Sequence, residues 1–363
     1  MGRGTKMKKV IIIGCILRIL AIFVVPLSFE EAHNTLLSQQ KDLRLMVQTA
    51  AESYPPLYFF LVKAVNPRAL SLIFGIITIP TIYYIGKKLF GPKTGVLAAF
   101  LVSISPSMIY YSSVGRMYSL VVLVSASVIY LFLKFLKEKK FTFSLILAAA
   151  LGLYTHYYFI ILLLFLNIYA FLNPGNLRKI LPKLIIINLS IFILSIPLIF
   201  LILNSSRSLI VPGYSIIKLP LFWLTPILPW DLIQNNDLSI STIILLGLSF
   251  LPFIFIIIMA KKDIYFKFFV YLFILPALGI LVYSRFIYGI AGIRSYIVFS
   301  PVFFLLMGLF VTNIGRKFKK VFLLTASFFI SLFYIVGIHD FSSNSWDKIY
   351  SNFSPNDKVV YSD

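Results

Sequence analysis

The feature that most constrains this chain is a rhythm of apolar runs, each close to 20 residues long and closed by a small basic cluster, a proline or a glycine. At about 1.5 Å of rise per residue, about 20 apolar residues cross a hydrocarbon core. Backbone N–H and C=O groups in lipid need partners within the segment, so such runs fold as helices. With 60% hydrophobic and 12% charged residues, the chain reads as an all-α polytopic membrane protein.

The runs give about eleven spans, at 10–27, 69–89, 94–111, 117–136, 141–155, 157–172, 183–203, 240–260, 266–283, 296–313 and 320–338. With the amino terminus inside, the inner segments hold 21 of the 33 basic residues, and of the 12 carboxylates only Glu138 and Asp263. That is the asymmetry of the positive-inside rule. The net charge of +21 therefore reflects topology. The basic residues form no single patch interleaved with aromatics, and no nucleic-acid partner is expected. The reading is a multi-pass plasma-membrane protein with a cytoplasmic amino terminus and an extracytoplasmic carboxyl terminus. Arg3, Lys6, Lys8 and Lys9 before the first run give the charge order of a signal peptide. No small-residue cleavage site follows, so the run is read as an uncleaved span. Cys15 is the only cysteine, which leaves neither a disulfide framework nor a cysteine metal site. Pro55–Val65, "PPLYFFLVKAV", is too short to span, and its two prolines cannot continue a helix from upstream. It is expected to form a short outer-surface or re-entrant helix, because a twelfth span there would invert every loop downstream.

Charge at membrane depth is costly, about 2.5–3.5 kcal/mol for an arginine at a helix centre, and marks interior or wet sites. In this topology Glu30, Glu31, His33, Arg116, His156, Arg285 and Arg294 fall at the outer ends of different spans, where one cavity would collect them. Ser28-Phe29-Glu30-Glu31 fits a capping box and gives Glu31 a structural role. Residues 32–47 then continue as an amphipathic interfacial helix. Glu30 is either a solvated first-turn acid or a general base or metal ligand at the membrane surface. Arg116 and Arg294 are either snorkelling residues or forked clamps for phosphate oxygens. Arg18, deep in the first span, is expected to meet a buried acid or an anionic ligand. His156 lies in an outer turn among Tyr154, Tyr157 and Tyr158, as part of an aromatic belt or as a donor to phosphate. With three histidines in the chain and no close pair at ligand spacing, no metal ligand set is assigned. No cofactor is expected as a requirement, and dependence on a divalent metal stays open.

Taken in order, Glu30-Glu31, the interfacial helix, Pro55-Pro56-Leu57-Tyr58, Gly86-Lys87-Lys88-Leu89-Phe90-Gly91 and Arg116-Met117-Tyr118 resemble the landmarks of the GT-C superfamily of membrane glycosyltransferases. The likeness is to the family 39-like group, with the protein O-mannosyltransferases and the lipid A aminoarabinose transferase. "THYYF" at 155–159 and "RSYIVFSP" at 294–301 extend it over most of 10–310. Each motif alone is short, and the ordered set carries the resemblance. The group usually opens its acidic pair with Asp, whereas Glu30 is one methylene longer.

The resemblance implies a GT-C fold with a catalytic membrane module at 1–203, its first outer loop at 28–68, further loop and spans at 204–338, and a short outer tail at 339–363. It implies inverting transfer of a sugar from a polyprenyl-phosphate carrier to a lipid, glycan or protein acceptor on the outer face. The catalytic carboxylates would be Glu30, as base, and Glu31. Arg116, Tyr118, His156, Arg294, Tyr54 and Arg18 would bind substrate. The tail "SNSWDKIYSNFSPNDKVVYSD" resembles the start of an outer domain that many relatives append. A secondary transporter or lipid flippase is the competing reading, although the sequence lacks paired inverted repeats and broken helices in corresponding halves.

Overall fold

The computed structural model describes residues 3–140, 143–172, 174–204, 226, 264–286 and 293–313. The expected spans at 240–260 and 320–338, nearly all of the loop 204–239, and the tail lie outside the described residues. All regular structure among the described residues is helical. In chain order it comprises α1 (Arg3–Val24), α2 (Phe29–Ser38), α3 (Leu43–Ser53), α4 (Leu57–Ala64), α5 (Pro67–Phe90), α6 (Pro92–Ile104) and α7 (Pro106–Ser113). There follow α8 (Tyr118–Glu138), α9 (Phe143–Thr155), α10 (Phe159–Phe171), α11 (Pro174–Leu203), α12 (Ile264–Phe286), a 3-10 helix (Ile293–Phe299) and α13 (Ser300–Asn313).

Four of these helices are long and apolar enough to cross a membrane, or up to five if the bent pair α6–α7 is one span. The chain is thus a multi-pass membrane protein. The helices α9 and α10, at 13 residues each, are shorter than the about 20 residues a straight span needs. Large apolar side chains face outward along α1 (Ile12, Ile16, Phe23) and α11 (Ile185, Phe192, Phe200), as lipid-facing surfaces do.

At the centre, α5 packs against α1, α6, α7 and α8. Asn66 caps α5 by accepting from the N–H groups of Arg68 and Ala69, and Pro67 occupies its first turn. At the other end Gly91, at φ +94°, turns the chain back into α6, a backbone region that glycine enters without a Cβ clash. The two helices close tightly there, since a Cβ on Gly86 would stand 2.9 Å from the Gly95 Cα.

The expected straight span at 94–111 is broken. Helices α6 and α7 meet at a 57° bend centred on Ser105-Pro106. Pro106 has no N–H and cannot serve the carbonyl four residues back, which is that of Val102. Arg18 takes over that bond: it donates to the carbonyls of Val102 at 3.0 Å and Ser103 at 3.1 Å, and to Ser112 Oγ at 3.1 Å. These bonds bring Arg18 to the α6–α7 break. The guanidinium, 0% exposed, splints a proline break. Arg18→Met is therefore expected to lower the melting temperature of the purified protein, at about 1–3 kcal/mol per orphaned carbonyl. The surviving folded fraction should keep its affinity for a lipid-phosphate substrate.

The first loop also departs from the single helix expected at 32–47. It forms α2 and α3, separated because Asp42 caps α3 by accepting from the N–H groups of Arg44 at 2.8 Å and Leu45 at 3.3 Å. "PPLYFFLVKAV" forms the eight-residue helix α4, too short to span, as expected.

Candidate active site

Four chain segments meet at one end of the bundle: the start of α2, the end of α3, the α7–α8 turn and the α9–α10 turn. Ser28 caps α2 by accepting from the Glu31 N–H at 3.2 Å, which is half of the predicted capping box. The Glu31 carboxylate does not complete it. It is buried, takes two bonds from Arg68 (2.7 and 2.9 Å), and accepts from the Gly115 N–H at 2.8 Å. Arg68 also donates to the carbonyls of Ile22 and Val25, each at 3.0 Å, where α1 ends. A basic side chain suits the negative end of a helix, so Arg68 ties α1, α2 and α5 together through one guanidinium.

The turn that carries Arg116 is held from both sides. The Arg116 N–H bonds the Val114 carbonyl at 2.8 Å, and the Arg116 carbonyl accepts from Ser71 Oγ at 2.9 Å. Ser71 Oγ also lies 3.1 Å from Tyr58 Oη, and burial pushes the Tyr58 phenol up from its ordinary value, so it stays protonated. Gly115 is required there: a Cβ would stand 2.8 Å from the Glu31 Oε1 and 2.6 Å from the Pro67 Cβ.

Arg116 is itself buried, at 1% exposure. Its guanidinium pairs with the Glu30 carboxylate, donates to Tyr54 Oη at 2.6 Å, and lies over the rings of Tyr118 at 4.7 Å and Tyr54 at 5.7 Å. Such cation–π contacts gain strength where water is excluded. The His156 ring sits 6.0 Å from the rings of both Tyr54 and Tyr118, and its Nδ1 accepts from the Tyr158 N–H at 3.2 Å. Tyr157 Oη donates to the Ala51 carbonyl at 2.8 Å, docking that turn onto α3. Burial lowers the His33 imidazole below its ordinary value, so it is neutral at neutral pH.

Of the sequence candidates, Glu30, Arg116, Tyr54, Tyr118 and His156 thus form one cluster, beside which Glu31 is bound into the scaffold. Arg18 serves the α6–α7 break. Arg294 lies in the 3-10 helix, but its side chain, like that of Arg285, lies outside the described residues. Sequence reasoning missed Arg68, Ser71 and Gly115 as parts of the site. The available signal for Arg68 was its position, a basic residue on the acid-rich side of the topology, just after the Asn66-Pro67 helix start.

Glu30 keeps 38% of its side chain exposed, so its carboxylate is within reach of an incoming group while Arg116 stays fixed behind it. Among the described residues no group of three or more His, Cys, Asp or Glu is placed to hold a metal ion. Glu30 and Glu31 are each engaged by an arginine.

The fold and part of the sequence are similar to those of known membrane proteins. The family model for dolichyl-phosphate-mannose-protein mannosyltransferase matches residues 57–204. The fold is similar to that of ArnT from Cupriavidus metallidurans bound to undecaprenyl phosphate, with a TM-score of 0.58 at 12% identity over 85% of this chain and 60% of that one. The apo state of the same protein matches with a TM-score of 0.57 at 12% identity, over 84% of this chain and 59% of that one. This chain therefore spans about 60% of the length of ArnT. No curated protein matches it significantly.

Proposed function

We propose that this protein moves a sugar from a polyprenyl-phosphate carrier to a lipid, glycan or protein acceptor at the outer membrane face, with Glu30 as the base. The observation that carries this reading is the pairing of a half-exposed carboxylate, Glu30, with a caged guanidinium, Arg116. The likeness to a fold that binds undecaprenyl phosphate in ArnT supports a lipid-linked donor. The basic inner loops support an extracytoplasmic site in the plasma membrane, with the catalytic module at 1–203.

The chemistry is a single displacement. The acceptor oxygen attacks the anomeric carbon from the face opposite the phosphate and forms the new glycosidic bond. The bond from that carbon to the phosphate oxygen breaks, its electron pair leaves with the lipid phosphate, and the configuration inverts. The acceptor proton passes to Glu30, a role worth typically 10²–10⁴ in rate. The departing phosphate gains charge, and the aromatic faces of Tyr54 and Tyr118 hold Arg116 ready to meet it without reorganisation. Tyr54 Oη and His156 offer further hydrogen-bonding groups, and Arg294 follows on the family motif.

The broken pair α6–α7 gives the transporter reading its one specific observation, because transporters expose unwound carbonyls to their ions. Here Arg18 already occupies the carbonyls of Val102 and Ser103, so the break offers no open ligand site. The test is to incubate the purified protein with a panel of labelled polyprenyl-phosphate sugars and native membrane lipids. Label should pass to an acceptor as free polyprenyl phosphate accumulates. Label that crosses a reconstituted bilayer still attached to its carrier would overturn the proposal.

A further inference from the structure

Asn34 follows Glu30 by four residues and Glu31 by three on α2. At 3.6 residues per turn, its Cβ projects between the directions of the two carboxylates, one turn along the helix. The residue is 2% exposed, and its amide Nδ2 is buried without a hydrogen-bond partner. Three residues further on, Leu37 packs with Met46, Ala50 and Phe59 in an apolar cluster that Tyr54 also covers. Tyr54 in turn accepts from Arg116. Asn34 therefore lies on the helix that carries Glu30, one turn beyond it, with Leu37 of the apolar cluster three residues further on.

A buried amide N–H without an acceptor is unfavourable, and buried donors are almost always satisfied. The deficit ends when an oxygen lone pair arrives. We infer that Asn34 is a substrate-contacting residue whose amide donates to an oxygen of the substrate lodged at Glu30. That oxygen is a hydroxyl of the acceptor, or a hydroxyl or phosphate oxygen of the donor. The substrate class rests on the sugar-transfer reading above. A site that hydrogen-bonds a substrate oxygen discriminates strongly against analogues that lack it, since their binding leaves the buried group unpaired. Asn34 thereby adds selectivity for an oxygen beside the reacting centre to the base function of Glu30.

Asn34→Leu and Asn34→Ala in the full-length protein separate a substrate contact from a structural role. Removing an unsatisfied buried donor should leave the melting temperature of Asn34→Leu equal to or above that of the wild type. Its kcat/KM for transfer from the labelled polyprenyl-phosphate sugar should fall about 10- to 100-fold. Asn34→Ala, which cannot overpack, should lose activity similarly. A rise in the donor KM alone assigns the oxygen to the donor, and a rise in the acceptor KM alone assigns it to the acceptor. If the wild type transfers sugar and both variants match its kcat/KM, the inference is overturned while the transfer reading stands. A fall in melting temperature with turnover per folded molecule unchanged would also overturn it, because Asn34 would then be structural. A wild type that transfers nothing overturns the transfer reading and, with it, the substrate assigned to Asn34.

Discussion

Glu30→Gln is expected to lower sugar transfer by 10² or more, the lower end of what a positioned base contributes, while leaving the protein folded and membrane-inserted. The substitution keeps the side-chain shape but removes both the proton acceptor and the negative charge that pairs with Arg116. Glu30 is 38% exposed, so losing its charge leaves few atoms newly desolvated, and Arg116 retains Tyr54 Oη and two aromatic faces. The check is the initial rate of label transfer by purified variant and wild type, each normalised to the monodisperse fraction on size-exclusion chromatography. Full activity in Glu30→Gln would remove Glu30 from the role of base.

The second large effect is expected on stability. Arg68→Met should leave the Glu31 carboxylate, at 1% exposure, buried with neither guanidinium bond, while the carbonyls of Ile22 and Val25 at the end of α1 lose their donor. Breaking a buried pair from one side costs roughly 3–5 kcal/mol. The lower part of that range applies, because Arg68 itself is 20% exposed. The measurement is the midpoint of thermal aggregation in detergent. Adding Glu31→Gln to Arg68→Met should recover part of the loss by removing the stranded charge. A midpoint unchanged in Arg68→Met would mean that the pair does not brace the first loop.

The same residues show how much the chain's own order could reveal. Ser28 was legible as a cap, because capping is set within one turn. Glu31 was legible as structural but for the wrong partner. Its carboxylate serves Arg68, 37 residues away, and Gly115, 84 residues away, and no local pattern carries that information. The span at 94–111 was legible by hydropathy. Its break at Ser105-Pro106 became interpretable only when Arg18, from α1, was seen on the carbonyl that Pro106 cannot serve. The first loop read as one helix because its apolar spacing continues across Gln39 and Gln40, whereas the Asp42 cap restarts the helix at Leu43.

The sequence by itself determined the helical membrane class and the short helix α4. Hydrophobic thickness, proline sterics and loop charge act over one helix length or less, and so they can be read along the chain. The tertiary structure alone decided which acid meets which arginine. Glu30 pairs with Arg116 across 86 residues, and Glu31 with Arg68. The choice depends on how α1, α2, α5 and the α7–α8 turn pack, because a buried charge settles on whichever partner the packing brings within hydrogen-bond distance.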